Sequence, residues 1–556
     1  MSSRQEPRGI ASTHEVTNQA PPLGSVNWFT TDRALGEALT REGGGWAEAR
    51  VATYGAELGR DEVMTWGHQA NAYPPELRSH DASGNRIDEV EFHPAWHEVM
   101  RLAMAHEVHN LPWRQPRPGA FVARSAMHYL HSQIEAGSCC PLTMTFACLP
   151  ALRHQKDVAA EWEDRILGTE YDPRSLPATQ KSSVLIGMAM TEKQGGSDVR
   201  ANSTRAAPLG AGGPGAAYEL IGHKWFCSAP MCDAFLTLAN TDHGLSCFLV
   251  PRWRPDGERN PLHLQRLKDK LGNRSNASGE IEYNGAWAQM VGEEGGGVRT
   301  ILEMVNHTRL DCVSGSAGLM RQALVQATHH AAHRSAFGRL LSEQPLMQGV
   351  LADLAIEVEA ATALLMRLSR AYDEARDDEA AHAFARVATA IAKYWVCKRA
   401  PSMVTEAMEC LGGNGYVEDS ILPRLYREAP VNAIWEGSGN VICLDVWRAM
   451  LREPDCVPAL LDEIRLGRGS HPALDRAIAE IETALGDRKP DEAHARRWVE
   501  RMALALQGSL LVRHAPAAVS DAFCAGRLDE AAGFTFGALP GGLALREIVD
   551  RAKPAT

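Results

Sequence analysis

The chain has 556 residues, with 57 Lys+Arg against 69 Asp+Glu and a net charge of −12. That acid excess excludes a histone-like polycation coating nucleic acid over its whole surface and leaves room only for a local basic patch. At about 150 residues per domain the length predicts three to four domains, and 45% hydrophobic with 23% charged residues excludes wholesale disorder. The 12 cysteines include no C-x-x-C pair of the kind that zinc ribbons and thioredoxin-like sites use, and Cys139-Cys140 is too local to staple a fold. No apolar run reaches the roughly 18 residues of a membrane span, and the first residues hold no apolar signal core. The expectation is a reduced, cytoplasmic, soluble protein with no membrane partner.

Residues 1–181 read as mostly helical, with loops at Pro21-Pro22, Gly43-Gly44-Gly45, Pro74-Pro75 and from Pro112 to Pro118. The pattern changes at SVLIGMAM, from Ser183 to Met190, an apolar run short enough for one buried strand. Strand-like segments follow from Tyr218, Ala234, Leu245 and Gly279, each bounded by Gly, Pro, Asn or Asp. Residues 182–290 therefore read as a small all-β domain. From Gly297 the period returns to 3.6, and Leu346, Val350, Leu354, Val358, Ala361, Leu365 and Leu368 form one stripe over 344–371. The next helix runs to Gly412-Gly413, which makes 291–445 a bundle of long core helices. Residues 446–556, including a helical segment over Asp491 to His514, form a fourth domain candidate.

Four features bear on chemistry. Gly210 to Gly215 formally matches G-x-G-x-x-G, but Pro214 lies inside it and a strand pattern follows, so it reads as a hairpin loop rather than a dinucleotide fingerprint. The His pairs 93/97, 106/109 and 329/333 show no third ligand nearby and read as structural, with no metal expected. In Met190 to Asp198 a buried strand runs into small hydrogen-bonding residues, where Thr191, Gly196 and Ser197 can line a planar, acceptor-rich ligand. By spacing alone this reads first as an ordinary strand-end turn with a surface charge cluster. In Ile434-Trp435-Glu436-Gly437-Ser438-Gly439-Asn440 a single carboxylate sits among apolar neighbours, an environment that raises its pKa toward that of a general base. The same segment also reads as a helix-capping loop, with Ser438 or Asn440 as N-cap.

Together and in order, MAMTEKQGGSDV at 188–199, GHKWFCSAP at 222–230, RSAFGRLLSEQPLMQ at 334–348 and the stretch 407–440 resemble the acyl-CoA dehydrogenase family of flavoproteins. Further segments, RLKDKLGNRSNAS at 266–278 with TREGGGW, FHPAWH and HNLPW near the N-terminus, resemble the branch of that family serving the bacterial adaptive response to DNA alkylation. The resemblance implies an N-terminal helical domain, a middle β-barrel and a C-terminal four-helix bundle, here followed by a helical extension. It implies FAD bound between barrel and bundle, which accounts for the missing fingerprint. Met188, Met190, Thr191, Gly196 and Ser197 match one side of that site, and Trp225, Phe226, Cys227 and Ser228 the strand packed on the flavin. Ile434, Trp435 and the turn Gly437-Ser438-Gly439-Asn440 match the rest of the cofactor site. Arg334 and Phe337 match residues that reach a neighbouring subunit's cofactor, which implies a homo-oligomer, a tetramer. Glu436 matches the base that takes a thioester's α-proton while the flavin accepts a hydride. Trp435 and Ser438 stand where Tyr and Thr are usual, and the bulkier indole bears on substrate size.

The alkylation-response branch is also implied to bind double-stranded DNA through the extension, protecting it or processing alkylating agents. Residues 441–556 hold 15 Lys+Arg against 17 Asp+Glu, a net of −2, but 13 of those cations are Arg, the better phosphate fork. Arg448 and Arg452 lie one turn apart and are the expected contacts, with Arg496, Arg497 and Arg501 as a second cluster. The competing expectation is a metabolic dehydrogenase of short or branched acyl-CoA in which such arginines only make salt bridges, for example Asp445 with Arg448.

Overall fold

The computed structural model describes residues 13–487, 492–529 and 533–554. The first block is helical except for an antiparallel hairpin, Glu76–His80 with Arg86–Glu91. Neither strand alternates apolar with polar, which hides it from a hydrophobic reading. Its turn is fixed by Asp81, whose Oδ1 accepts the Ser83 and Asn85 amides at 2.8 and 2.9 Å. Two helices at the centre of this block, α1 (Ala120–Ile134) and α2 (Cys139–Leu152), are buried on nearly every side. They pack on a long bundle helix, α3 (Gly297–His333). The buried charges at this contact are paired: Arg124 grips Asp311 with two of its guanidinium nitrogens, Nη2 to Oδ2 at 2.7 Å.

The middle block is a barrel of β1 (Ile186–Ala189), β2 (Arg205–Pro208), β3 (Ala217–Ser228), β4 (Ala234–Thr241), β5 (Gly244–Pro251), β6 (Leu262–Leu267) and β7 (Ser278–Val291). The order is β1-β4-β2-β3-β7-β5, with β6 on β7, and a further β4–β5 pairing closes the sheet. Closure leaves few exposed edges. Residues 210–215 form the loop of the β2–β3 hairpin, as the proline inside the glycine run predicts. The sequence reading omits β2 and β6. β2 has four residues, three of them exposed, whereas β6 alternates buried Leu262 and Leu264 with more exposed neighbours over a short run.

Helix α3 packs with α4 (Pro345–Glu374) and α5 (Glu379–Glu409), and α6 (Gly439–Arg452) packs on α5. α4 starts with Pro at its first position, and α5 is capped by Asp378 accepting the Ala380 and Ala381 amides at 2.8 and 3.2 Å. The extension holds α7 (Cys456–Arg465), α8 (Pro472–Asp487), α9 (Ala495–His514) and α10 (Leu545–Ala552). It is not tethered by a linker: α6 runs unbroken across the boundary expected at 445–446, α9 lies on α4, α5 and α6, and α10 lies on α4. Buried charge ties it down as well. Arg527 reaches Asp353 and Glu357, and Arg551 reaches Glu37 and Glu359.

Candidate active site

Two distant segments meet at one end of the barrel. The Trp225 amide donates to the Thr191 carbonyl at 2.8 Å, which sets the end of β3 beside the loop leaving β1. That loop is pinned by Glu192, a buried carboxylate whose Oε1 accepts Lys224 Nζ at 2.8 Å and Thr204 Oγ1 at 2.6 Å. Burial pushes Glu192 up, yet Lys224 and these donors hold it down at about 2. The surface charge cluster allowed by the sequence is thus in part an internal ion pair. Met188, Met190 and Thr191 are half-buried and Ser197 is exposed. Gly196 lies so close to Thr191 that an added Cβ would sit 2.6 Å from its hydroxyl. On β3, Trp225 lies under Lys268, whose Nζ stands 3.6 Å above the ring, while Phe226 is half exposed and Ser228 half-buried. The Cys227 side chain is fully buried. A register shift between Lys224 and Cys227 breaks the alternation that would put it on the open face, so only its backbone is left for a ligand.

Glu436 lies on the loop before α6 at φ +58, followed by Gly437 at φ +107, a left-handed pair that needs outside support. Two buried cations supply it. Arg309 Nε donates to the Glu436 carbonyl at 3.0 Å, and Lys393 Nζ donates to the Trp435 carbonyl at 2.8 Å and to that of Gly437. Arg309 is held in turn by Asp445 at 2.7 Å, which also accepts Arg386. Although burial raises the Asp445 carboxyl, these two guanidinium groups hold it below the usual range. Trp435 is fixed beside the base by its indole N–H, which donates to Asn432 Oδ1 at 3.0 Å.

At the Glu436 carboxylate, Thr308 Oγ1 donates to Oε2 at 2.7 Å, and Oε1 accepts no hydrogen bond among the described residues. One oxygen is therefore anchored and the other is open to take a proton. Burial drives this carboxyl above its ordinary range, against the Thr308 hydroxyl and the charges of Arg309 and Lys393. Thr308→Val removes a donor that favours the ionised form. The rising limb of the pH–rate profile is expected to move to higher pH, with about a tenfold loss at neutral pH. Stopped-flow flavin reduction across pH reads this, and an unmoved limb would mean that Thr308 does not set the base. Thr308, Arg309, Lys393 and Glu192 are missing from the sequence reading, which names Asp445 only as a partner of Arg448. The only signal was charged residues inside otherwise apolar helical and strand stretches.

Ile434 is exposed, Ser438 and Asn440 are exposed, and Gly439 is half-buried at the start of α6, where Ser438 takes the N-cap position but its side chain makes no capping bond. Arg334 and Phe337 lie elsewhere, on a two-strand hairpin just past the C-terminus of α3, with Phe337 fully exposed at φ +53. Thr308 is on the same helix, and the intervening residues at ~1.5 Å each put about 40 Å between them. These two residues do not join their own chain's Glu436. Arg448 is half exposed with Asp445 at 3.8 Å, Arg452 is exposed with no ion pair among the described residues, and Arg501 pairs with Glu480. The histidines serve structure. His93 caps a helix, His97 meets the Tyr171 hydroxyl and His109 the Gly168 carbonyl, His329 meets the Pro21 carbonyl and His333 that of His329. No metal-ligand group occurs among the described residues. No helix among them is long and apolar enough to cross a membrane.

Thioether and indole surfaces at one barrel end, hydroxyls and glycine approaches around them, and a desolvated carboxylate held by the bundle suit a flavin that oxidises an acyl thioester. The chain belongs to the acyl-CoA dehydrogenase family, which are FAD-dependent oxidoreductases. It matches the family models for the acyl-CoA dehydrogenase middle domain at 187–286 and C-terminal domain at 295–451, and for the adaptive response protein AidB N-terminal domain at 18–173. It is 48% identical over 523 residues to the protein named "Putative acyl-CoA dehydrogenase AidB" of Escherichia coli, covering 94% of this chain and 95% of that one. It is 29% identical to acyl-CoA dehydrogenase family member 11 of Caenorhabditis elegans, over 87% and 83% of the two chains. The crystal structure of C. elegans ACDH-11 in complex with C11-CoA superposes with a TM-score of 0.84 at 26% identity, covering 98% of this chain and 97% of that one.

Proposed function

We propose that the chain oxidises an acyl-CoA-like thioester at Glu436 and binds double-stranded DNA through Arg448 and Arg452 in the response to DNA alkylation, protecting DNA or processing alkylating molecules. The observation that carries the catalytic half is the Glu436 carboxylate, with one oxygen anchored, the other open and its affinity for protons raised by burial. FAD, when bound, supplies the two-electron acceptor. The chain's residues fit it: Met188, Met190 and Trp225 offer apolar surface, Thr191, Ser197 and Ser228 hydroxyls, and Gly196 a space that a Cβ would fill. Glu436 Oε1 takes the proton from the carbon next to the thioester carbonyl. Thr308 keeps Oε2 in place, Arg309 and Lys393 hold the strained backbone, and Trp435 limits the acyl group beside the base.

Arg334 and Phe337, about 40 Å from Thr308 along α3 and projecting, support a homo-oligomer, a tetramer, in which they serve a neighbouring cofactor. The DNA half is supported by contrast. Among the described residues most arginines of the extension are committed to carboxylates, whereas Arg452 has none and Arg448 only a loose one. The purified chain is expected to carry releasable FAD and to bind duplex DNA with an affinity that falls as salt rises. Arg448→Ala and Arg452→Ala are each expected to weaken binding and to cut the salt slope by about one unit. A wild type with no duplex affinity at moderate salt would leave the metabolic dehydrogenase of short or branched acyl-CoA as the reading.

A further inference from the structure

One helical turn from the base lies a set of buried polar side chains that does not touch it. Thr308 and Asp311 are i, i+3 neighbours on α3, and Cys140 and Thr143 are i, i+3 neighbours on α2, so each pair shares a face. Thr308 Oγ1 donates to Glu436 Oε2 at 2.7 Å, and Thr143 Oγ1 donates to Asp311 Oδ2 at 2.5 Å. The ring closes at Cys140, whose thiol burial pushes up to about 11, with the Ser228 hydroxyl beside it acting to lower it and the Glu436 charge acting to raise it. α2 is buried at every position except Thr143 and Pro150, and Thr143 is half-buried while its partner Asp311 is 3% exposed. The Thr143 side chain therefore looks into the space that this ring encloses. An acyl chain whose α-carbon meets Glu436 Oε1 extends into the same space.

Proton counting fixes the direction of each bond around Thr143. Asp311 accepts from Arg124 at both oxygens, and although burial raises its carboxyl, the guanidinium holds it below the usual range, so it is ionised and can only accept. Thr143 gives it its one proton. Burial holds the His128 imidazole down at about 3, which leaves it neutral with a single N–H. Nε2, 3.2 Å from Thr143 Oγ1, carries that hydrogen, and Nδ1 accepts from Ser314 Oγ at 2.9 Å. Among the described residues Thr143 Oγ1 thus donates once, accepts once and keeps one lone pair. A lone pair facing an enclosed space calls for a donor. That donor is neutral, because Arg124 already balances Asp311 and an ammonium would bring an uncompensated charge.

We infer that Thr143 is a specificity-determining residue that selects an acyl thioester carrying a hydroxyl on its chain, the hydroxyl donating to Thr143 Oγ1, with His128 and Asp311 as positioning residues. This rests on the dehydrogenase reading of Glu436. One turn of α3 between Thr308 and Asp311 sets Thr143 about 5 Å beyond the base, within reach of a short chain.

The test compares flavin bleaching of the FAD-loaded full-length chain by paired acyl-CoA thioesters of equal length, one plain and one with a hydroxyl on its terminal carbon, over a series of lengths. In the best pair the wild type is expected to be bleached about tenfold faster by the hydroxylated member. Thr143→Val keeps the shape of the side chain and removes its oxygen, and is expected to erase that ratio by slowing the hydroxylated member alone. Thr143→Ser keeps the oxygen and is expected to retain the ratio. A wild type with no preference for the hydroxyl at any length would overturn the inference, and this comparison decides by itself if Thr143→Val does not fold. A Thr143→Val variant that keeps the wild-type ratio would overturn it as well. So would an equal loss on both members, which marks a merely structural role. A fully loaded chain that is bleached chemically but by neither member of any pair would overturn the dehydrogenase reading itself and the inference with it.

Discussion

Glu436→Gln is expected to slow flavin reduction by an acyl-CoA thioester by about 10³-fold while FAD stays bound. The amide keeps the shape of the carboxylate and an oxygen for the Thr308 hydroxyl, so the strained loop and its supports persist. What is lost is the open, basic oxygen. The same substitution is expected to stabilise the fold at neutral pH. Burial raises the folded pKa of Glu436, so the unfolded chain ionises first as pH rises, and folded stability falls between the unfolded and folded pKa values. Gln removes that penalty, and the gain vanishes at a pH below the unfolded carboxylate pKa. Thermal melts of both forms across pH, beside stopped-flow reduction, read the two effects. An unchanged reduction rate would assign proton removal to another group.

Asp445→Ala is expected to cost about 3 kcal/mol of stability and to abolish fast turnover. The carboxylate faces two guanidinium groups, buried Arg309 at 2.7 Å and half-buried Arg386 at 3.1 Å, and removing it strands Arg309 and leaves Arg386 only Glu453. Arg309 also holds the Glu436 carbonyl, so the base loses a backbone support together with the charge that balances it. Differential scanning of the holoprotein and the turnover of the same preparation report the two losses. A variant with wild-type melting and turnover would show that Arg309 is fixed by other contacts.

The barrel and the long helices are legible in the sequence because each is a local pattern. SVLIGMAM, the runs from 218, 234 and 245, and the stripe over 344–371 need only their own residues to declare a strand or helix. The Glu436 loop stands out for the same reason. Its supports do not, because Thr308 is 128 residues and Arg309 127 residues away, and only the packing of α3 against the loop brings them in. Lys393 sits in the apolar run AIAKYWV, where a buried cation answering two carbonyls reads as a flaw in the stripe. The burial of the Cys227 side chain is not legible for a different reason, a bulge that resets the side-chain alternation of β3. How the extension is tied to the bundle is not legible, because charge counting cannot distinguish an arginine locked against Glu357 or Glu359 from one open to a phosphate.

The most direct measurement is anaerobic titration of the FAD-loaded wild type with acyl-CoA thioesters of graded chain length and branching, following the visible flavin absorbance. At least one thioester is expected to bleach the flavin stoichiometrically, with faster bleaching as pH rises through the titration of Glu436. A fully loaded protein whose flavin is reduced chemically but by no thioester at any pH would contradict the assignment of Glu436 as the base of an acyl-CoA dehydrogenase site.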